Sequence, residues 1–135
     1  MAKLGAYMGT LDGIEQFKSL LGRPVDQVLG FLPGNGWSLN LDAAISSGYY
    51  GPPGTKKIVW SLQMYPEDGG VAALREVAAG QHVADHTRWA QQILASRADD
   101  SDPIYIRPNW ELGGEWYPWT GDAQQDPQAY RAAFQ

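Results

Sequence analysis

The chain has 135 residues, a formal net charge of −5 and no cysteine. That length makes one domain able to bury a core; the acidic balance argues against a nucleic-acid partner, which calls for a basic patch; and the missing thiols exclude disulfides, thiolate metal sites and cysteine nucleophiles. No apolar run approaches the roughly 20 residues of a membrane span, while six Trp and seven Tyr point to a ligand that stacks on rings.

Taken in order, residues 3–9 (KLGAYMG) read as a first strand, and nothing around them has the long apolar core and small-residue cleavage site of a signal peptide. Asp12 offers a cap for a helix through Leu21, with Ile14, Phe17, Leu20 and Leu21 on one face and Gly22 as its stop. Residues 26–32 (DQVLGFL) give a second strand closed by PGNG, and residues 37–46 a helix of fair periodicity. After the loop GYYGPPGT, residues 57–64 (KIVWSLQM) give a third strand. A helical stretch from Val71 is broken at Gly80 and resumes over 83–97 with Ala90, Ile93 and Leu94 on its core face. Ile104, Tyr105 and Ile106 open a fourth, buried-type strand, and Asp126–Pro127 makes a cap and first-turn proline for a last helix over 128–134.

Strand and helix therefore alternate four times, which predicts a parallel sheet covered by helices. A (β/α)8 barrel takes about 250 residues and carries its site on the loops after the strands; this chain has half the units. The expected fold is thus α/β, a (βα)4 half of a TIM barrel forming a single half-barrel domain over 1–135. Its first and fourth strands would be open edges, so two chains pairing along them, a homodimer, could close a barrel.

The chemistry gathers in residues 104–119, IYIRPNWELGGEWYPW. The strand delivers Asn109, Trp110 and Glu111 to its C-terminal end, then a loop carries Trp116, Tyr117 and Trp119. A carboxylate among aromatic rings suits sugar chemistry: rings stack on the C–H faces of pyranoses, and apolar surroundings favour a protonated carboxyl. The plainer reading is a glutamate capping a helix beside core tryptophans. Asn109 or Arg107 would position a substrate hydroxyl or hold the carboxylate, or Arg107 would only brace the sheet interior. Tyr7 and Trp60 lie on strands, where they either line a cleft or fill the core. His82 and His86 stand at the i, i+4 spacing of a metal pair, but no third ligand is near in sequence, so structural histidines and no metal or other cofactor are expected; Trp89 beside them reads as core. PGNG and GPPGT lack the lysine and Ser/Thr of a phosphate loop.

RPNWELGGEWYPW resembles the segment around the acid/base glutamate of the family 26 glycoside hydrolases, the β-mannanase-type group of clan A. LGAYMG with IEQFKSLLGRPVDQVLGF resembles that family's first strand, helix and second strand, and DPQAYRAAFQ the helix after its fourth strand. The resemblance covers nearly all of this chain but only the N-terminal half of the family's barrel. It implies a glycosidase acting on a β-linked polysaccharide such as mannan, in a family often secreted, with Glu111 as general acid/base and Trp116 and Trp119 lining the sugar cleft. Trp110 stands where the best-known mannanases carry histidine, and Gly113–Gly114 where the family has Asn-Gly. The family's nucleophilic glutamate lies on a seventh strand, which this chain does not have. A retaining glycosidase needs two carboxyls about 5–5.5 Å apart, and Glu67, Asp68, Glu115 and Asp12 are loop carboxylates outside the nucleophile position. In a twofold dimer each Glu111 would face its mate across the barrel mouth, beyond that distance. Three readings follow: a glycosidase half-site, a non-catalytic carbohydrate binder, or a self-associating half-unit.

Overall fold

The computed structural model describes residues 4–7, 9–32, 36–38, 42, 57–95, 103–111 and 114–135. Among them are four strands, β1 (Gly5–Ala6), β2 (Gln27–Phe31), β3 (Lys57–Leu62) and β4 (Tyr105–Pro108). They form one sheet in the order β1-β2-β3-β4, every pair parallel. Five described helices accompany them: α1 (Leu11–Leu21), α2 (Gly70–Ala78), α3 (Val83–Ala95), α4 (Pro118–Gln125) and α5 (Pro127–Ala132). This is the α/β parallel architecture that the alternating pattern predicts, consistent with half of a barrel. The sheet is open, with β1 and β4 as its edges.

Burial along β2 alternates between enclosed and half-open positions, because helices cover only one face. On that face Val28, Leu32 and Trp60 pack with Ile14 of α1 and with Trp89 and Ile93 of α3. Trp60 and Trp89 are thus core, and the cleft role open to Trp60 falls away. A second cluster joins Tyr65, three residues past β3, to Ala73, Leu74 and Val77 of α2, and to Trp110 and Trp119. Trp37 packs against both clusters.

The fourth strand departs from the buried reading. Tyr105 and Ile106 are 39% and 46% exposed, because β4 is an edge strand that, among the described residues, pairs on one side alone. Asp12 is not the helix cap either. Thr10 holds the extended N-cap position of α1 and its hydroxyl accepts from Gly13 N, leaving Asp12 in the first turn, where its charge suits the helix dipole. Gly22 ends α1 with φ +66°, as a left-handed cap requires. Asp126 caps α5 as expected, accepting from Ala129 N with Pro127 opening the helix. The expected break at Gly80 is present, with φ +74° between α2 and α3. The helix expected over 37–46 and the loop after it lie mostly outside the described residues.

Candidate functional site

β4 ends at Pro108, and the next three residues turn the chain sharply. Asn109 and Glu111 both adopt positive φ, +40° and +60°, a region that non-glycine residues enter at a steric cost. Such strain persists where surrounding contacts over-determine it, and here they do. Asn109 N donates to Leu62 O at 3.1 Å, and Asn109 Oδ1 accepts from Met64 N at 2.8 Å. Asn109 is buried to 1% exposure. It ties the exit of β3 to that of β4 and is closed to a substrate hydroxyl in this conformation.

The turn presents Glu111 at the C-terminal rim of the sheet, on the exposed side. One carboxylate oxygen is hydrogen-bonded and the other faces a more distant cation. Oε2 accepts from Trp116 Nε1 at 2.9 Å, and Arg107 Nη2 lies 3.9 Å from Oε1. Of the two readings open for Arg107, geometry favours the one in which it faces the glutamate. The carboxylate is not enclosed by apolar rings; it sits beside one exposed indole and a half-exposed guanidinium.

The loop that carries Trp116 is set by a residue that sequence reasoning treated only as a departure. Gly114 N donates to Glu111 O at 2.8 Å, and Thr120 Oγ1 donates to Gly114 O at 2.7 Å. The Trp116 ring lies directly over Gly114, so an added Cβ there would come within 2.4 Å of Cε2 and Cζ2. Only glycine lets the indole reach back to Glu111. The available signal was a Gly-Gly pair two residues after the acid.

The four aromatic residues singled out around Glu111 divide sharply. Trp116 is 72% exposed. Trp119 has no exposed surface: it stacks on Tyr117 at 4.4 Å, meets Trp110 edge-on at 4.9 Å and donates Nε1–H to Trp110 O at 2.8 Å. Its place is beneath the site, as a brace. Trp110 is buried too, edge-on to Phe31 and Tyr117, and its Nε1 has no hydrogen-bond partner among the described residues. Tyr117 is half-buried. Phe31 continues the ring contacts to Tyr7 at 5.0 Å, and Tyr7, half-exposed at the end of β1, is open to solvent. Surface for stacking is therefore offered by Trp116 and Tyr7.

Beneath this layer Tyr65 donates its hydroxyl to Asp122 Oδ2 at 3.0 Å, both side chains buried. Burial first, and then the Asp122 charge, push the Tyr65 hydroxyl far above its ordinary range, so it stays a neutral donor anchoring α4 to the exit of β3. The two histidines go separate ways. His82 bonds Asp85 and Glu76, each at 3.1 Å, whereas His86 Nε2 donates to Met64 O at 2.7 Å. Among the described residues no group of three or more His, Asp or Glu is placed to hold a metal ion. Glu67, Asp68, Glu115 and Asp12 are all exposed.

No family model matches the chain. A curated protein, Endoglucanase H of Acetivibrio thermocellus, is 27% identical over 140 residues; the similarity spans 98% of this chain and 14% of that protein. The chain is thus distantly similar, along nearly its whole length, to a small part of a longer protein named as an endoglucanase.

Proposed function

We propose that the chain is the proton-handling half of a site that processes a β-linked polysaccharide, with Glu111 as its general acid/base. The observation that carries this reading is the Glu111 carboxylate at the C-terminal rim of a parallel sheet, gripped by the indole of an exposed Trp116. Sites of barrel folds sit at that rim, and the distant similarity to an endoglucanase supports a glycosidase-like role. Trp116 offers a face to a pyranose, while Arg107 and the Trp116 N–H keep the carboxylate aimed. In this reading a protonated Glu111 gives its proton to the departing glycosidic oxygen and takes one back from the incoming water. Double displacement also needs a second carboxylate, which a twofold mate's Glu111, across the barrel mouth, would be too distant to supply. A backbone of glucose or of mannose fits equally well, since stacking reads the C–H face of either.

The test is titration with soluble cello- and manno-oligosaccharides, followed by tryptophan fluorescence and by product analysis. Binding by the chain that falls roughly two- to tenfold in Trp116→Ala is the expected result, in line with about 0.5–1.5 kcal/mol for an aromatic contact. Affinity unchanged in that variant would remove Trp116 from the sugar site. Binding with no bond cleavage, even by a chain joined to a half that supplies the second carboxylate, would favour the non-catalytic carbohydrate binder.

The open edges support a second element of the proposal, pairing of two copies β4 to β1. Tyr105 and Ile106 on β4 are substantially exposed, and parallel edges of this kind invite another strand. Light scattering at two concentrations is expected to show mass rising toward the dimer. A concentration-independent monomer would count against the pairing of two copies.

A further inference from the structure

Away from Glu111, one side-chain cluster is built to a closer specification than packing needs. His82 lies in the turn between α2 and α3, with its ring 3.4 Å from that of Trp37 and the two planes 3° apart. Its two nitrogens meet two carboxylates, Nε2 with Glu76 Oε2 from α2 and Nδ1 with Asp85 Oδ2 from α3, both at 3.1 Å. A neutral imidazole can donate to only one of them; the imidazolium donates to both. Arg88 completes the arrangement, with Nη1 3.1 Å from Asp85 Oδ1 and Nη2 donating to Trp37 O at 2.6 Å. His86 approaches the same indole edge-on at 6.0 Å but is bound to the Met64 carbonyl.

Trp37 packs against both hydrophobic clusters, the one under the sheet and the one that contains Trp110 and Trp119. We infer that His82 is a pH-sensitive latch: as an imidazolium bridging Glu76 and Asp85 it clamps Trp37 in the seam between the two clusters, and on losing its proton it releases that clamp. Among the described residues, the charged groups facing His82 are Glu76 from α2 and Asp85 from α3, with Arg88 from α3 behind Asp85, and the Trp37 ring stacks on it. A cation against the indole face adds attraction that a neutral ring lacks.

The direction follows from the opposing influences on His82. Burial lowers its proton affinity, but the hydrogen bonds and charges of Asp85 and Glu76 outweigh burial, and the pKa is raised above 6.5. A raised folded-state pKa gives stability that is fully present below about 6.5 and is lost as pH climbs through the folded value. The latch is therefore shut in mildly acidic solution and opens as the solution becomes alkaline. It stands apart from the glycan reading, because its readouts need no substrate.

The experiment follows the His82 ring signals and the Trp37 indole N–H by NMR from pH 5 to 9, with melting temperature measured over the same range. The Trp37 resonance is expected to shift with the His82 midpoint, and the melting temperature to decline through it. Glu76→Gln, a change at a half-exposed position that removes one arm, should move both transitions to lower pH, and His82→Gln should abolish them. A Trp37 signal that stays constant while His82 titrates would overturn the latch, as would an unchanged midpoint in Glu76→Gln. If His82→Gln does not fold, the Glu76→Gln midpoint decides the matter.

Discussion

Trp119→Ala is expected to lower the free energy of unfolding by about 3–5 kcal/mol, the range for deleting a large buried aromatic side chain. Trp119 has no exposed surface, stacks on Tyr117 and anchors Trp110 through its N–H. Truncation would leave a cavity under the second cluster and an unpaired carbonyl at Trp110. Domains of this size are stable by only about 5–15 kcal/mol, so the variant should unfold at a much lower urea concentration with an unchanged slope. Trp116→Ala, three residues away, should stay within about 0.5 kcal/mol of the parent, as surface substitutions do. Equal losses in the two variants would contradict the division between brace and exposed ring.

In a site completed by its second carboxylate, Glu111→Gln is expected to reduce glycan hydrolysis by about 10²–10⁴-fold, the usual contribution of a positioned general acid/base, while sugar binding stays within a few-fold. Glutamine keeps the shape and can still accept from Trp116, but it has no proton to give. The choice of leaving group separates this role from others. A dinitrophenyl glycoside departs without protonation, so the first bond cleavage should be largely spared in the variant while the natural linkage is not. Equal loss on both substrates would assign Glu111 to a different step, and no loss on either would remove it from the chemistry.

How far the sequence foretold these features depends on whether local or distant contacts decide them. The strand–helix alternation and the Asp126–Pro127 start of α5 are local and were legible. α4 was not, because Pro118, Thr120 and Gly121 are poor helix formers whose helix is held by Trp119, Thr120 and Asp122 packing inward. Asp12 reads from the sequence as the cap of α1, but the helix begins earlier than that reading needs, at Leu11, and Thr10 takes the role. Glu111 could be singled out from its neighbours, but the separate fates of Trp116 and Trp119 could not. Both follow the acid closely, and only the ring-over-glycine contact and the start of α4 send one outward and the other in. The His82–Trp37 stack joins residues 45 positions apart, beyond the reach of any local pattern.

The left-handed backbone at Glu111 has a consequence for how such a chain evolves. An L-residue at φ +60° carries a penalty of about 1–2 kcal/mol that glycine would escape. Selection for robustness alone thus favours glycine at 111, whereas under the proposed acid/base role selection for chemistry would retain the glutamate. A lineage that dropped catalysis while keeping the fold would be free to drift toward glycine there, which makes position 111 a readable marker of which pressure has prevailed.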